Sequence, residues 1–434
     1  MGGNRSHVRL IRSASLVGMT GVFVLLVTFL RGIILARVLG PEQFGLTAIL
    51  ITIAAGLDMI IDGGIDQFVV QNRFGQREDV IAAAQYYRFL AAFVFSTLLV
   101  VAAPFVADFV SAPHLSSAIQ ALALISAARS LVNLSYKVEQ RSGIYRKESL
   151  IDFARFATEI VVLLAAAFAL KSYWALVIAI AANCAVQLVI TNFVFASRWY
   201  GKQSRRSLRL VGRFSLPISM NSILLFAAMQ GDRLVIANAL APLQLATFVA
   251  ASSLGQAGTG LISRIPTSMP LSTFGSGQFR TQGRQGDAIR IHRLFVLGST
   301  VMAVGLALVV PVLVPLAYGS AFAGLHVLIG AIACVNALQV EQGWLTALMT
   351  SAGKTRIFPL LTAVRAVSLP LSAVLLAMGQ PLVAVSLAAF CGTALAIFPS
   401  YWVLLKVGLT SPGNLAIGII RMGLLLCYLF YTML

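Results

Sequence analysis

Apolar runs of about 18 residues or more follow one another along the whole chain, separated by short polar punctuation. A run of that length crosses the hydrocarbon core of a bilayer as an α-helix. The runs are continuous instead of alternating at every second position, so a transmembrane β-barrel does not fit. The pattern predicts twelve core helices near residues 14–38, 46–68, 84–107, 116–136, 149–170, 173–196, 213–238, 245–270, 293–317, 322–349, 357–378 and 382–405. A thirteenth apolar run, 414–433, is weaker because Arg421 interrupts it. The expected fold class is an all-α polytopic membrane protein.

Composition agrees. Hydrophobic residues make up 59% of the chain and charged residues 11%, against about 25% charged in a soluble domain. The net charge of +18 would suit nucleic acid, but its distribution argues otherwise. Of the 32 Lys and Arg residues, 23 fall in the loops on one side of the predicted helices, and only Arg37 and Lys171 on the other. Cytoplasmic loops carry this bias, so the N-terminus, with Arg5, Arg9 and Arg12, is expected in the cytoplasm. The basic loops then face anionic headgroups, and no nucleic-acid partner is expected. The first run is too long for a cleaved signal core and reads as a retained helix.

The longest basic loop divides the chain. The reading is a six-helix lobe over 1–197, a basic cytoplasmic linker over 198–213, a second six-helix lobe over 214–406 and an extra hydrophobic segment over 407–434. The first hairpin carries the turn Leu39-Gly40-Pro41-Glu42-Gln43-Phe44-Gly45. Sliding the sequence by 201 residues puts Ala36, Leu39, Pro41 and Gln43 onto Ala237, Leu240, Pro242 and Gln244. Both halves start from the same side, which makes the repeat parallel, and transporters built this way carry substrate between their halves. Pro41 lacks an amide hydrogen and suits a helix start after Gly40.

The stretch from Arg31 through Gly45 resembles the first hairpin of the polysaccharide-export branch of the multidrug/oligosaccharidyl-lipid/polysaccharide (MOP) flippase superfamily, and Asp232-Arg233 with the segment after it is similar to that family's second signature. The resemblance implies a MATE/MOP-like plan of two six-helix lobes in the bacterial inner membrane. It also implies a flippase that moves a polyprenyl-diphosphate-linked oligosaccharide, an O-antigen or exopolysaccharide unit, to the periplasmic leaflet by alternating access. H+ or Na+ as coupling ion and polysaccharide polymerase or assembly proteins as partners belong to the same expectation.

Charges at membrane depth mark candidate sites, because each costs several kcal/mol unless paired or hydrated. Arg129, Arg264 and Arg365 have no acid within one turn of their own helices. Their guanidinium forks would suit a diphosphate. Asp58, Asp62 and Asp66 are spaced by four and would form one stripe. Asp58 and Asp62 are candidates for ion coupling or pairing, and Arg31 either pairs with Asp58 or lines the chamber. Asp152, Arg155 and Glu159 share a face and either neutralise one another or leave Arg155 free for substrate. Glu341, with Gln339, Gln342 and Trp344, is a candidate sugar contact.

No enzyme is expected: the chain carries no phosphate-cradling loop with lysine, no HExxH and no nucleophile elbow. No cofactor or metal is expected either. The four cysteines lie in apolar runs and read as small buried hydrophobes. Two alternatives stay open, a cation-coupled drug or metabolite antiporter of the same superfamily and a polysaccharide polymerase or ligase. The latter is disfavoured by outer loops of about ten residues or fewer.

Overall fold

The computed structural model describes residues 3–141, 144–195, 203–256, 285–352 and 354–433, and among them the secondary structure is entirely helical. Ten helices are long and apolar enough to cross a membrane, or eleven if one pair bent by 57° is counted as a single span. The chain is a multi-pass membrane protein. The expected fourth span, 116–136, falls on that bent pair, and two more of the twelve expected spans lie outside the tally. The eighth, 245–270, is described only to residue 256. The tenth is helical, but Asn336, Gln339, Glu341 and Gln342 make it too polar to stand among the ten. Pro412–Tyr431 does stand among them, so the interruption by Arg421 does not stop this segment being long and apolar enough to span.

The chain forms two compact units, Met1–Phe226 and Ala227–Leu434. The first contains α1 (Gly3–Leu39), α2 (Pro41–Asp62), α3 (Ile65–Gln71), α4 (Glu78–Phe109), α5 (Ser116–Arg129), α6 (Lys137–Arg141), α7 (Arg146–Leu170), α8 (Trp174–Val189) and the first part of α9 (Arg205–Ala239). The boundary between these two units falls inside α9. The reason is packing: Val211 joins the buried cluster of Ile65, Phe68, Val69 and Leu134. Small residues let the same part of α9 lie directly on α2. A side chain at Gly56 would meet the Phe226 ring at 2.7 Å, and one at Gly63 would meet the Ser219 hydroxyl at 2.1 Å.

The second unit holds the rest of α9, α10 (242–256), α11 (Gln285–Tyr318), α12 (His326–Ser351), α13 (Phe358–Ala366), α14 (Ser368–Ala377), α15 (Val383–Val407) and α16 (Pro412–Met433). Large side chains stand exposed along α4 and α11, Phe105 at 74% and Val301 at 73%. In a membrane helix such faces meet lipid tails and cost nothing.

The first hairpin turns at Gly40, whose φ of +83° is open to glycine and costly for other residues. Pro41 occupies the first position of α2, and the Phe44 amide donates to the Gly40 carbonyl at 3.0 Å. Thus α2 starts five residues before the expected 46. The second expected corner repeats the device: Pro242 opens α10, and the Ala241 amide donates to the Gln244 side chain at 2.9 Å. One expectation fails. Gly63 and Gly64 both adopt the left-handed conformation and break the helix after Asp62. Asp66 therefore sits on α3 and does not continue the Asp58–Asp62 stripe.

Candidate functional site

Five helices of the first unit, α1, α2, α5, α7 and α8, enclose a cavity of about 170 Å³. Into its wall come Arg31, Asp58, Arg129, Arg155, Phe156, Glu159 and Asn183. Three of the arginines singled out by sequence thus meet at one place, from three helices that lie far apart in the chain.

Their partners are not those the spacing suggested. Asp58 pairs with Arg129 from α5, not with Arg31, and accepts a second hydrogen bond from the Ser126 hydroxyl at 2.8 Å. Arg31 Nη1 donates to Glu159 Oε1 at 2.8 Å. The other Glu159 oxygen accepts from Asn183 Nδ2 at 2.6 Å. On α7, Arg155 pairs with Asp152 across one turn, its guanidinium carbon 4.4 Å from the centre of the Phe156 ring. Glu159 therefore leaves the expected ladder for a neighbour on another helix. The wall is rich in charge without being purely cationic, because each arginine meets an acid. Each arginine still keeps donors in reserve. A guanidinium carries five N–H groups, and Arg31 and Arg129 each engage their acid through a single nitrogen. Arg129 Nε is buried without a hydrogen-bond partner.

The second unit repeats the construction in a smaller cavity of about 60 Å³, formed by α9, α10, α12, α13 and its continuation α14, and α15. In the order of the repeat these helices correspond to α1, α2, α5, α7 and α8. Asp232, which the 201-residue shift places under Arg31, lines it together with Arg365, Gln256, Asn336, Gln339 and Ser386. Arg365 makes no ion pair within the described residues. Neither cavity contains Asp62, which lies at the end of α2 near Asp66, Arg88 and Lys137.

Glu341 is placed elsewhere. It is fully buried in an ion pair with Arg421, and Tyr401 donates to its second oxygen at 2.6 Å. The expected sugar contact is thus sealed inside the second unit, because the acid on α12 is neutralised by the arginine on α16. Arg264 lies outside the described residues. Sequence reasoning passed over Ser126 and Asn183. The one signal for Asn183 was a lone amide inside the apolar run Ile178-Ala-Ile-Ala-Ala-Asn183-Cys. Among the described residues no cluster of His, Cys, Asp and Glu could hold a metal ion.

Residues 34–326 match the model of a family described as polysaccharide biosynthesis protein. The chain belongs to that family. The matched region includes Asp58, Arg129, Arg155, Glu159 and Asn183, and Arg31 lies just before it. Among curated proteins none matches. Among solved structures, the chain is similar in fold to a multidrug resistance MATE family transporter of the MOP superfamily in an inward-facing conformation. The TM-score is 0.67 at 16% identity, with 93% of this chain and 95% of that chain covered. It is also similar to the lipid II flippase MurJ in an inward closed conformation, with a TM-score of 0.64 at 12% identity, covering 94% of this chain and 91% of that one. A MATE structure in a bent conformation follows at 0.55 and 14% identity, with 97% and 96% covered. The fold is that of the MOP superfamily.

Proposed function

We propose that the protein is a flippase for a polyprenyl-diphosphate-linked oligosaccharide, in the bacterial inner membrane with its N-terminus in the cytoplasm. It carries O-antigen or exopolysaccharide units to the periplasmic leaflet for surface polysaccharide assembly, and is not an enzyme. The single observation that carries this reading is the meeting of Arg31, Arg129 and Arg155 on one cavity wall in a chain of the polysaccharide biosynthesis family. The likeness in fold to a lipid II flippase supports it.

A diphosphate offers several acceptor oxygens, and guanidinium groups with unused N–H donors recognise such oxygens with short, charge-assisted hydrogen bonds. Where Arg129 turns to the ligand, Ser126 remains to hold Asp58. Where Arg31 turns, Asn183 remains to hold Glu159. The carboxylates thus act as placeholders that keep the arginines in position in the absence of ligand. Two six-helix lobes exchanging between inward-open and outward-open states would move the sugar, while the isoprenoid tail stays in lipid.

The likeness to a multidrug MATE transporter keeps a cation-coupled antiporter as the second reading. Deletion of the gene separates the two. The flippase reading expects undecorated surface and lipid-linked sugar retained on the cytoplasmic leaflet. Unchanged leaflet exposure together with new drug sensitivity would replace it by the antiporter.

A further inference from the structure

The second unit has three acids in its sequence, Asp232, Asp287 and Glu341. Glu341 on α12 is fully buried, and three other helices converge on it. Arg421 from α16 pairs with Oε2, and Tyr401 from α15 donates to Oε1 at 2.6 Å. Behind Tyr401 stands His292 from α11, its Nε2 2.7 Å from the phenolic oxygen, also fully buried. The backbone of α16 comes close enough that a side chain at Gly418 would meet Tyr401 Oη at 2.9 Å and Glu341 Oε1 at 3.3 Å.

Counting donors fixes the protons. A carboxylate paired with arginine only accepts, and a tyrosine has one proton to give. That proton lies on the Glu341 side, so the Tyr401 oxygen accepts from His292 Nε2–H. The remaining ring nitrogen, Nδ1, is then a buried lone pair, and it has no hydrogen-bond partner. His292 sits within the first turn of the apolar span Ile289–Tyr318, between the exposed Arg290 and Arg293. Its free nitrogen is therefore buried at the basic-loop end of the unit, one residue from the exposed Arg293.

We propose that His292, Tyr401 and Glu341 form a proton relay, and that a proton delivered to Glu341 releases Arg421 and loosens α16. A proton from water adds to His292 Nδ1. The Nε2 proton passes to Tyr401 Oη as the proton of Tyr401 passes to Glu341 Oε1. Histidine and tyrosine end neutral, Glu341 becomes a carboxylic acid, and the network gains one positive charge, left on Arg421. That guanidinium does not lose all its partners, since Nη1 still donates to Ser299 Oγ at 2.6 Å and to the Val296 carbonyl at 3.1 Å. The same chain run backwards resets the site. The charged and titratable groups facing Glu341 are Arg421, Tyr401 and, through Tyr401, His292. Arg293 is turned away, its Nε bound to Asn414 Oδ1 at 2.8 Å. The relay involves no substrate, so it stands or falls apart from the flippase reading.

The test is time-resolved infrared spectroscopy of the full-length protein in lipid nanodiscs after a downward pH jump, without substrate. The expected result is a carboxylic-acid band present in the wild type and absent from Glu341→Gln. Its rise should slow by about tenfold or more in His292→Gln and Tyr401→Phe, which is below what a positioned proton carrier commonly contributes. A spin label on Cys427, exposed on α16, should gain mobility together with the band. Variants that do not elute as the wild type in size exclusion are set aside, and the two relay variants each test the rate independently. If both fail to fold, the wild-type band and its coincidence with Cys427 mobility decide. A wild type without a Glu341-dependent band, a band rising at the wild-type rate in a folded relay variant, or a band without change at Cys427 overturns the proposal and leaves a static brace.

Discussion

Arg31 Nη1 and Glu159 Oε1 lie 2.8 Å apart although 128 residues separate them in the chain. The bond joins α1 to α7 inside the first unit and sets the geometry of the cavity between them. Removing one partner of such a buried pair leaves an uncompensated charge, at a cost of roughly 3–5 kcal/mol. Arg31→Ala is expected to destabilise more than the double variant Arg31→Ala/Glu159→Ala. Thermal unfolding in detergent checks this, and a double variant no more stable than Arg31→Ala would contradict it.

Arg129 offers the second test. Its Nη1 holds Asp58 while its Nε, buried in the cavity wall, has no hydrogen-bond partner. A lysine retains the charge but presents it as a point, without the fork. Both Arg129→Ala and Arg129→Lys should lower transport by about tenfold or more, the equivalent of about 1.4 kcal/mol. Full transport by the lysine variant would mean that charge alone suffices.

The break between α2 and α3 makes a further prediction. Gly63 has φ +48° and would place a methyl group 2.1 Å from the Ser219 hydroxyl. Gly63→Ala should cost about 1–3 kcal/mol through backbone strain and overpacking. Pairing it with Ser219→Gly should recover the packing part and not the strain, which thermal midpoints of the three variants would reveal.

The last helix is expected to be indispensable to the second unit. Ending the chain before Pro412 removes Arg421 and strands a fully buried carboxylate at Glu341. The truncated protein should aggregate, and adding Glu341→Gln should restore part of its yield, because the amide needs no counter-charge. Equal yields of the two truncated forms in fluorescence-detected size exclusion would show that the pair is not what ties α16 to the core.

The helices are legible in the apolar runs, since length and continuity alone separate a spanning helix from a strand. Local chemistry is legible too: Pro41 after Gly40 marks the first corner, and Asp152 with Arg155, three residues apart, does form an ion pair. Spacing constrains only partners on one helix, however. The acid that holds Arg129 is 71 residues away, and the one that holds Arg421 is 80. No periodicity carries that information. The break after Asp62 is hidden for a related reason. Two glycines inside an apolar run are common in membrane helices, and that Ser219 and Ile218 stand where side chains at these positions would go is a contact no periodicity announces.

The most direct test of the account is translocation by the purified protein. Proteoliposomes would carry a polyprenyl-diphosphate-linked oligosaccharide, and its sugar on the outer leaflet would be read with a membrane-impermeant sugar-modifying reagent. The account predicts that wild-type protein equilibrates the sugar across the bilayer, that Arg129→Ala does so about tenfold more slowly, and that protein-free vesicles do not. Equal rates with and without the protein would contradict it.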